Sequence, residues 1–191
     1  MVALQITTNL LAQSVRAHRE SRGFSLGTLS HKAGISKTSL SKIEAGQGNP
    51  SLEVLNRIAN ALNVPVGALF GEQNHPQVYV IRRGEGQVVT SDSGLLVRPL
   101  LVDGRSHRMS IYELHLPAQA IYRALAHLPG TQEFILCLEG DIRLGPEEQE
   151  AKLQPGDAIC FSADLPHTYT SVGGAKALLV MQYPPAQGIV P

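Results

Sequence analysis

The stretch Ser25-Leu-Gly-Thr-Leu-Ser-His-Lys-Ala33-Gly34-Ile35-Ser36-Lys-Thr-Ser-Leu-Ser-Lys-Ile43-Glu44-Ala45-Gly46 decides the reading of the first half of this chain. Ser25 is placed to cap a helix over Leu26–Ala33, which Gly34 would end by taking a left-handed conformation. Small Ala33 allows close approach of a second helix, and Ile35 is an apolar plug for the corner. Ser36 would cap that second helix, which runs to Ala45 with Gly46 just past its end. Leu29, Leu40 and Ile43 fall on the buried side of the pair. The opposite side carries Ser36, Lys37, Thr38, Ser39, Ser41 and Lys42, short polar or basic residues suited to base edges and phosphates in a major groove.

Outward from this pair the apolar spacing stays helical from about Thr8 to Phe70. Leu11, Val15 and His18 would line one face of a first helix. Ser51 would cap a fourth, where Leu52, Leu55, Ile58, Ala59 and Leu62 recur at helical intervals. Pro65 starts a short last turn through Leu69, making five short helices. Gln73 to Gln77 reads as a linker. Beyond it come short runs rich in branched and aromatic residues: Val78–Arg82, Leu95–Leu101, Met109–Leu116, Phe134–Glu139, Asp141–Leu144, Ala158–Phe161 and Ala177–Tyr183. Strands at such spacing argue for an antiparallel sandwich or barrel, and Gly173-Gly174 reads as a hairpin turn.

The 191 residues carry zero formal net charge, but the charge is divided unevenly. Up to Glu72 there are seven basic and four acidic residues, net +3; the remainder has nine and twelve, net −3. A basic front suits a polyanionic partner. The two cysteines, Cys137 and Cys160, read as small buried hydrophobes in a reducing compartment. The sequence shows no signal peptide and no membrane-spanning run, so a cytoplasmic location is expected.

From Leu11 to Gly71 the sequence resembles the Cro/C1-type (xenobiotic-response-element) helix-turn-helix family. The likeness rests on Val15-Arg16, Arg19, Gly23-Phe24-Ser25-Leu26, Leu29 to Ile35, Leu40 to Gly46 and Asn49-Pro50-Ser51. It implies base-reading and phosphate contacts from Ser36, Lys37, Thr38, Ser39, Ser41 and Lys42, with Arg16, Thr28 and Asn49 as further backbone contacts. Glu44 is expected to hold the loop before Pro50, since a carboxylate facing phosphates would be repelled.

A second resemblance covers Ile111 to Tyr183. Ala126 to Gly140 and Leu153 to His167 resemble the two signature motifs of the cupin family, which implies a double-stranded β-helix barrel. The fold expected is therefore multidomain, α then β: a helix-turn-helix domain over 8–71, a linker over 72–78 and a cupin-like domain over 79–187.

Many cupins hold a divalent metal through an HxH pair, a glutamate and a later histidine. Glu133 and His167 fall on the last two positions, but Ala126 and Leu128 replace the HxH pair. If strand alternation continues, Tyr122, Ala124, Ala126 and Leu128 face inward and His127 faces out. Two ligands fall short of the three usual in catalytic sites, so no cofactor is certain and a metal would rest on Glu133 and His167. His115 or His107 would complete the set only in an unexpected register. The expected pocket is Tyr122, Ala126, Leu128, Glu133 and His167, without catalytic residues. The resulting expectation is a non-enzymatic transcriptional regulator that binds a palindromic DNA operator as a homodimer and senses a small molecule in its barrel, with no membrane partner. Two alternatives stand beside it: a barrel with residual metal-dependent or acid–base activity, and a passive dimerisation module.

Overall fold

The computed structural model describes residues 2–70, 80–102 and 109–184, with side chains from residue 9 onward. Four α-helices come first: α1 (Val2–Ser21), α2 (Leu26–Ala33), α3 (Lys37–Glu44) and α4 (Leu52–Leu62). The expected fifth helix is a short 3-10 turn, Val66–Phe70, directly after Pro65. The first helix begins at Val2, well before Thr8.

Local chemistry explains the helix ends. The Ser25 and Ser36 side chains accept hydrogen bonds from the Thr28 and Ser39 amides, both at 3.0 Å. Gly34 takes φ 63° and its amide meets the His31 carbonyl, so α2 stops and α3 starts three residues later, at Lys37. Ser51 holds the N-cap position of α4 but makes no capping hydrogen bond with its side chain. Leu11, Val15, Leu29, Leu40, Ile43, Leu55, Ile58 and Leu62 are all buried, joining the four helices around one core.

Among the described residues ten strands follow, in two antiparallel sheets. The larger sheet has the order β1 (Val89–Thr90), β2 (Leu96–Val102), β3 (Met109–Leu116), β10 (Ala175–Gln182), β5 (Gln132–Gly140), β8 (Ala158–Ser162). The smaller has β4 (Ala120–Ala124), β9 (His167–Ser171), β6 (Ile142–Pro146), β7 (Ala151–Leu153). Burial alternates along β3, β4, β9 and β10 as a half-buried strand requires. The buried residues of the two sheets face each other: Tyr112, Leu114, Ile135 and Leu179 against Tyr122, Ile142, Leu144 and Tyr169.

Several expectations change. Residues 80–82 form no strand, and the rest of the expected Val78–Arg82 run, like the linker, lies outside the described residues. Gly173-Gly174 is not a hairpin turn: it joins β9 to β10, which belong to different sheets. Cys137 is buried, but Cys160 is exposed.

The helical and β parts pack on each other. Asn56 Nδ2 donates to the Tyr122 hydroxyl at 3.4 Å, Asn60 Nδ2 to the Ala126 carbonyl at 3.3 Å, and the Asp92 amide to the Glu53 carboxylate at 3.2 Å. At Gly67 the 3-10 turn presses on the β domain so closely that an added Cβ would lie 2.5 Å from Ser110 Oγ.

Candidate functional site

Two places are candidates for function, the exposed side of α3 and a cavity at the joint of the two halves. In α3, Leu40 and Ile43 are buried while Lys37, Thr38, Ser39, Ser41 and Lys42 are exposed. Arg16, Thr28, Ser36 and Asn49 are exposed as well. Ser36 differs in role from its neighbours: besides capping the helix, its hydroxyl is hydrogen-bonded to that of Ser39 at 2.8 Å. Arg16 forms a surface pair with Glu20, and the Thr28 hydroxyl meets Ser25.

Glu44 does not hold the loop before Pro50. Its carboxylate takes Arg19 in two-pronged fashion, Nε to Oε1 at 2.7 Å and Nη2 to Oε2 at 2.9 Å, while Arg19 Nη1 donates to the Phe24 carbonyl at 2.8 Å. This fork bolts the end of α3 to α1 and to the turn before α2. The sequence signal for it was the presence of Arg19 and Glu44 in the same motif. Nothing in their spacing of 25 residues reveals the pairing.

The cavity is small, about 40 Å³. Of the expected pocket residues, Tyr122, Glu133 and His167 line it, whereas Ala126 and Leu128 do not. His127 lines it instead, contrary to the expectation that it faces outward. The reason is local: β4 ends at Ala124, so strand alternation does not extend to residue 127. His127 Nε2 lies 3.0 Å and His167 Nε2 3.4 Å from the same Glu133 oxygen. His115 is exposed on β3, and His107 lies outside the described residues.

The arrangement has the electrostatics of a cation site. Glu133 and His167 are almost completely buried. Burial alone would raise the Glu133 pKa, but the His127 and His167 imidazoles beside it, and their positive charge when protonated, hold it far below the usual carboxylate range. Burial likewise lowers His167, but the Glu133 carboxylate outweighs it and the net shift is upward. Glu133 Oε2 accepts the Tyr169 hydroxyl, leaving Oε1 for the histidines. His167 Nδ1 lies 2.9 Å from the Leu165 carbonyl, which can only accept, so Nδ1 carries a proton. The buried Nε2 has no hydrogen-bond partner. In the neutral ring it therefore turns a lone pair toward a carboxylate oxygen, and a proton or a metal ion between them removes the repulsion.

The donor set fits a divalent metal. One ligand atom each from His127, Glu133 and His167 lie within 4.8 Å of one another. Ligands about 2.1 Å from a metal sit roughly 3.0–3.4 Å apart at octahedral to tetrahedral angles, close to the two distances measured. Two histidines and a carboxylate serve zinc and iron alike. The Leu165 contact is the kind of outer hydrogen bond that orients a ligating histidine.

Comparison with known proteins agrees with both halves. The helix-turn-helix family matches residues 15–69 and the cupin domain family residues 113–183. The HTH-type transcriptional regulator SinR of Bacillus subtilis (strain 168) is 32% identical over 100 residues, covering 52% of this chain and 84% of SinR. The chain belongs to the helix-turn-helix family of transcriptional regulators. The regulator also resembles the HTH-type transcriptional regulator SutR of Escherichia coli (strain K12), at 26% identity over 165 residues, 85% of this chain and 88% of SutR. In structure it is similar to an HTH_3 family transcriptional regulator from Vibrio cholerae, with a TM-score of 0.73 and 28% identity, covering 95% of this chain and 99% of that one. It is thus a DNA-binding regulator with a helix-turn-helix region followed by a cupin-like β domain. Among the described residues, no helix is long and apolar enough to cross a membrane.

Proposed function

We propose that this regulator reads a palindromic operator as a cytoplasmic homodimer, with residues 8–71 contacting DNA and 79–187 sensing an effector and dimerising. The observation that carries the DNA reading is the division of α3 into a buried side, Leu40 and Ile43, and an exposed side bearing Lys37, Thr38, Ser39, Ser41 and Lys42. These residues, with the helix start at Ser36, face base edges and phosphates; Arg16, Thr28 and Asn49 meet the backbone. The homodimer reading is supported by an apolar row on the outer face of the larger sheet. There Ile111, Val180, Phe134 and Cys160 lie in register across four strands, and Phe134 and Cys160 are exposed.

The sensing reading places a divalent cation at His127, Glu133 and His167. This revises the pair of ligands available to the sequence, because His127 supplies the third. A cavity of about 40 Å³ has room for roughly two or three waters. Organic effectors normally occupy pockets of roughly 300 Å³ or more, so an ion with its waters suits a space of this size. The same volume argues against the one alternative that the three-donor cluster favours, a metal-dependent catalytic barrel, because no organic substrate fits beside the ion.

The test is binding of the full chain to a duplex pool over a range of salt. Affinity should fall steeply as salt rises, in proportion to the phosphates contacted. Absence of any duplex binding at low ionic strength would overturn the proposal.

A further inference from the structure

The cavity around Glu133 is not enclosed by the β domain alone. Leu52 and Asn56 of α4 and Val66 and Phe70 of the 3-10 turn complete its wall. The helix that closes the site is thus part of the DNA-reading half. We infer that this cavity is a divalent-metal site shared between the two halves, in which the ion at His127, Glu133 and His167 and the seating of α4 on the barrel stabilise each other. Asn56 and Gly67 are its positioning residues on the DNA-reading side. The inference rests on the reading of the three donors as a metal site.

Three observations carry it. A run of contacts leads from the donors to α4: Tyr169 donates to Glu133, the Tyr169 and Tyr122 rings lie 5.9 Å apart, and Asn56 donates to the Tyr122 hydroxyl. The carboxylate orientation that a metal fixes is therefore passed to a buried side chain of the helical half. Next, the wall that α4 and the 3-10 turn supply is mostly apolar, with Leu52, Val66 and Phe70 buried. With that wall in place the space beside Glu133 holds only a few waters, and attraction between a cation and the carboxylate is stronger than in a fully opened, wet cavity. Finally, the contact that seats the two halves has no slack. A Cβ at Gly67 would lie 2.5 Å from Ser110 Oγ, 3.1 Å from the Tyr112 hydroxyl and 3.3 Å from Val102 Cγ1.

By linkage, whatever lifts α4 from the barrel weakens the metal, and the metal in turn holds α4 down by the same factor. Coupling between sites of this kind is typically about 5- to 150-fold.

The test uses the full chain and zinc ion as the probe. Zinc affinity is measured by competition with a chelating dye for the parent, Gly67→Ala, Asn56→Ala and His167→Ala, each checked for folding by circular dichroism. Amide exchange across α4 is followed with and without zinc. The parent should bind one zinc per chain, with His167→Ala binding far more weakly. Gly67→Ala and Asn56→Ala should each lose at least about fivefold in affinity although no ligand has changed. Zinc should slow exchange in α4 of the parent and not of His167→Ala. Equal zinc affinity in the parent and a folded Asn56→Ala or Gly67→Ala would overturn the linkage and leave the donor set standing. No stoichiometric zinc on the parent would overturn the donor set, and the linkage with it.

Discussion

Replacing Glu44 by alanine removes the carboxylate that fixes the end of α3. Two Arg19 hydrogen bonds, at 2.7 and 2.9 Å, are then lost, and Nη2 keeps only its longer contact with Glu20 at 3.3 Å. The pair is only slightly open to water, with side-chain exposures of 12% for Arg19 and 8% for Glu44. Breaking a fully buried pair costs about 3–5 kcal/mol, because the remaining charge stays desolvated. A guanidinium that is 12% exposed and keeps its bond to the Phe24 carbonyl recovers part of that loss. A destabilisation of about 2–3 kcal/mol is therefore expected, well above the roughly 0–1 kcal/mol of a surface pair. At about 2–4 °C per kcal/mol for a chain of this length, melting should drop by about 4–12 °C. Thermal unfolding followed by the helical circular dichroism signal measures this. Because the pair is sheltered, the loss should change little with salt. Glu44→Gln, which retains one acceptor, should lose less. A loss below about 0.5 kcal/mol for Glu44→Ala would refute the idea that this fork holds the reading helix.

Lys42→Ala should weaken binding to all duplexes alike and lower the salt slope by about one, as measured by fluorescence anisotropy over a salt series. Ser36→Ala should cost about 1 kcal/mol of stability through loss of the cap, seen in urea unfolding. In the metal-free protein, stability should fall on both sides of a plateau. Glu133 has a depressed folded pKa, so its contribution is present above its ordinary value of 4.5 and lost as pH falls through the folded value. His167 has a raised folded pKa, so its contribution is present below 6.5 and lost as pH rises through the folded value. Melting temperatures of the chelator-treated protein from about pH 3 to 9, which spans the carboxylate and imidazole ranges, check this, and Glu133→Gln should flatten the acid limb.

What the sequence made legible was local. Ser25, Gly34 and Ser36 announce two capped helices at a fixed short turn, because capping and left-handed glycine are properties of neighbouring residues. Met109–Leu116 reads as a strand from its own alternation. What failed depended on where an element stops. His127 was turned outward by carrying alternation past Ala124, and one residue of misplaced register reverses every side chain. Gly173-Gly174 resembles a hairpin turn in composition, yet whether two strands pair depends on sheet order. The Arg19–Glu44 fork and the Asn56–Tyr122 contact join residues 25 and 66 positions apart, and such pairings leave no trace in local pattern. Asn56 in particular reads as an ordinary polar residue of an amphipathic helix. Only the barrel packed against it explains its burial.

The exposed side of α3 is tested most directly by selecting binding sites from a random duplex library with the parent and with Ser39→Ala. The parent should enrich a two-fold symmetric site whose half-site centres lie about 34 Å apart, one turn of the duplex. Ser39→Ala should enrich the same site with relaxed preference at one base pair in each half. Failure of the parent to enrich any site, or identical sites from the two proteins, would contradict contact between this helix face and the bases.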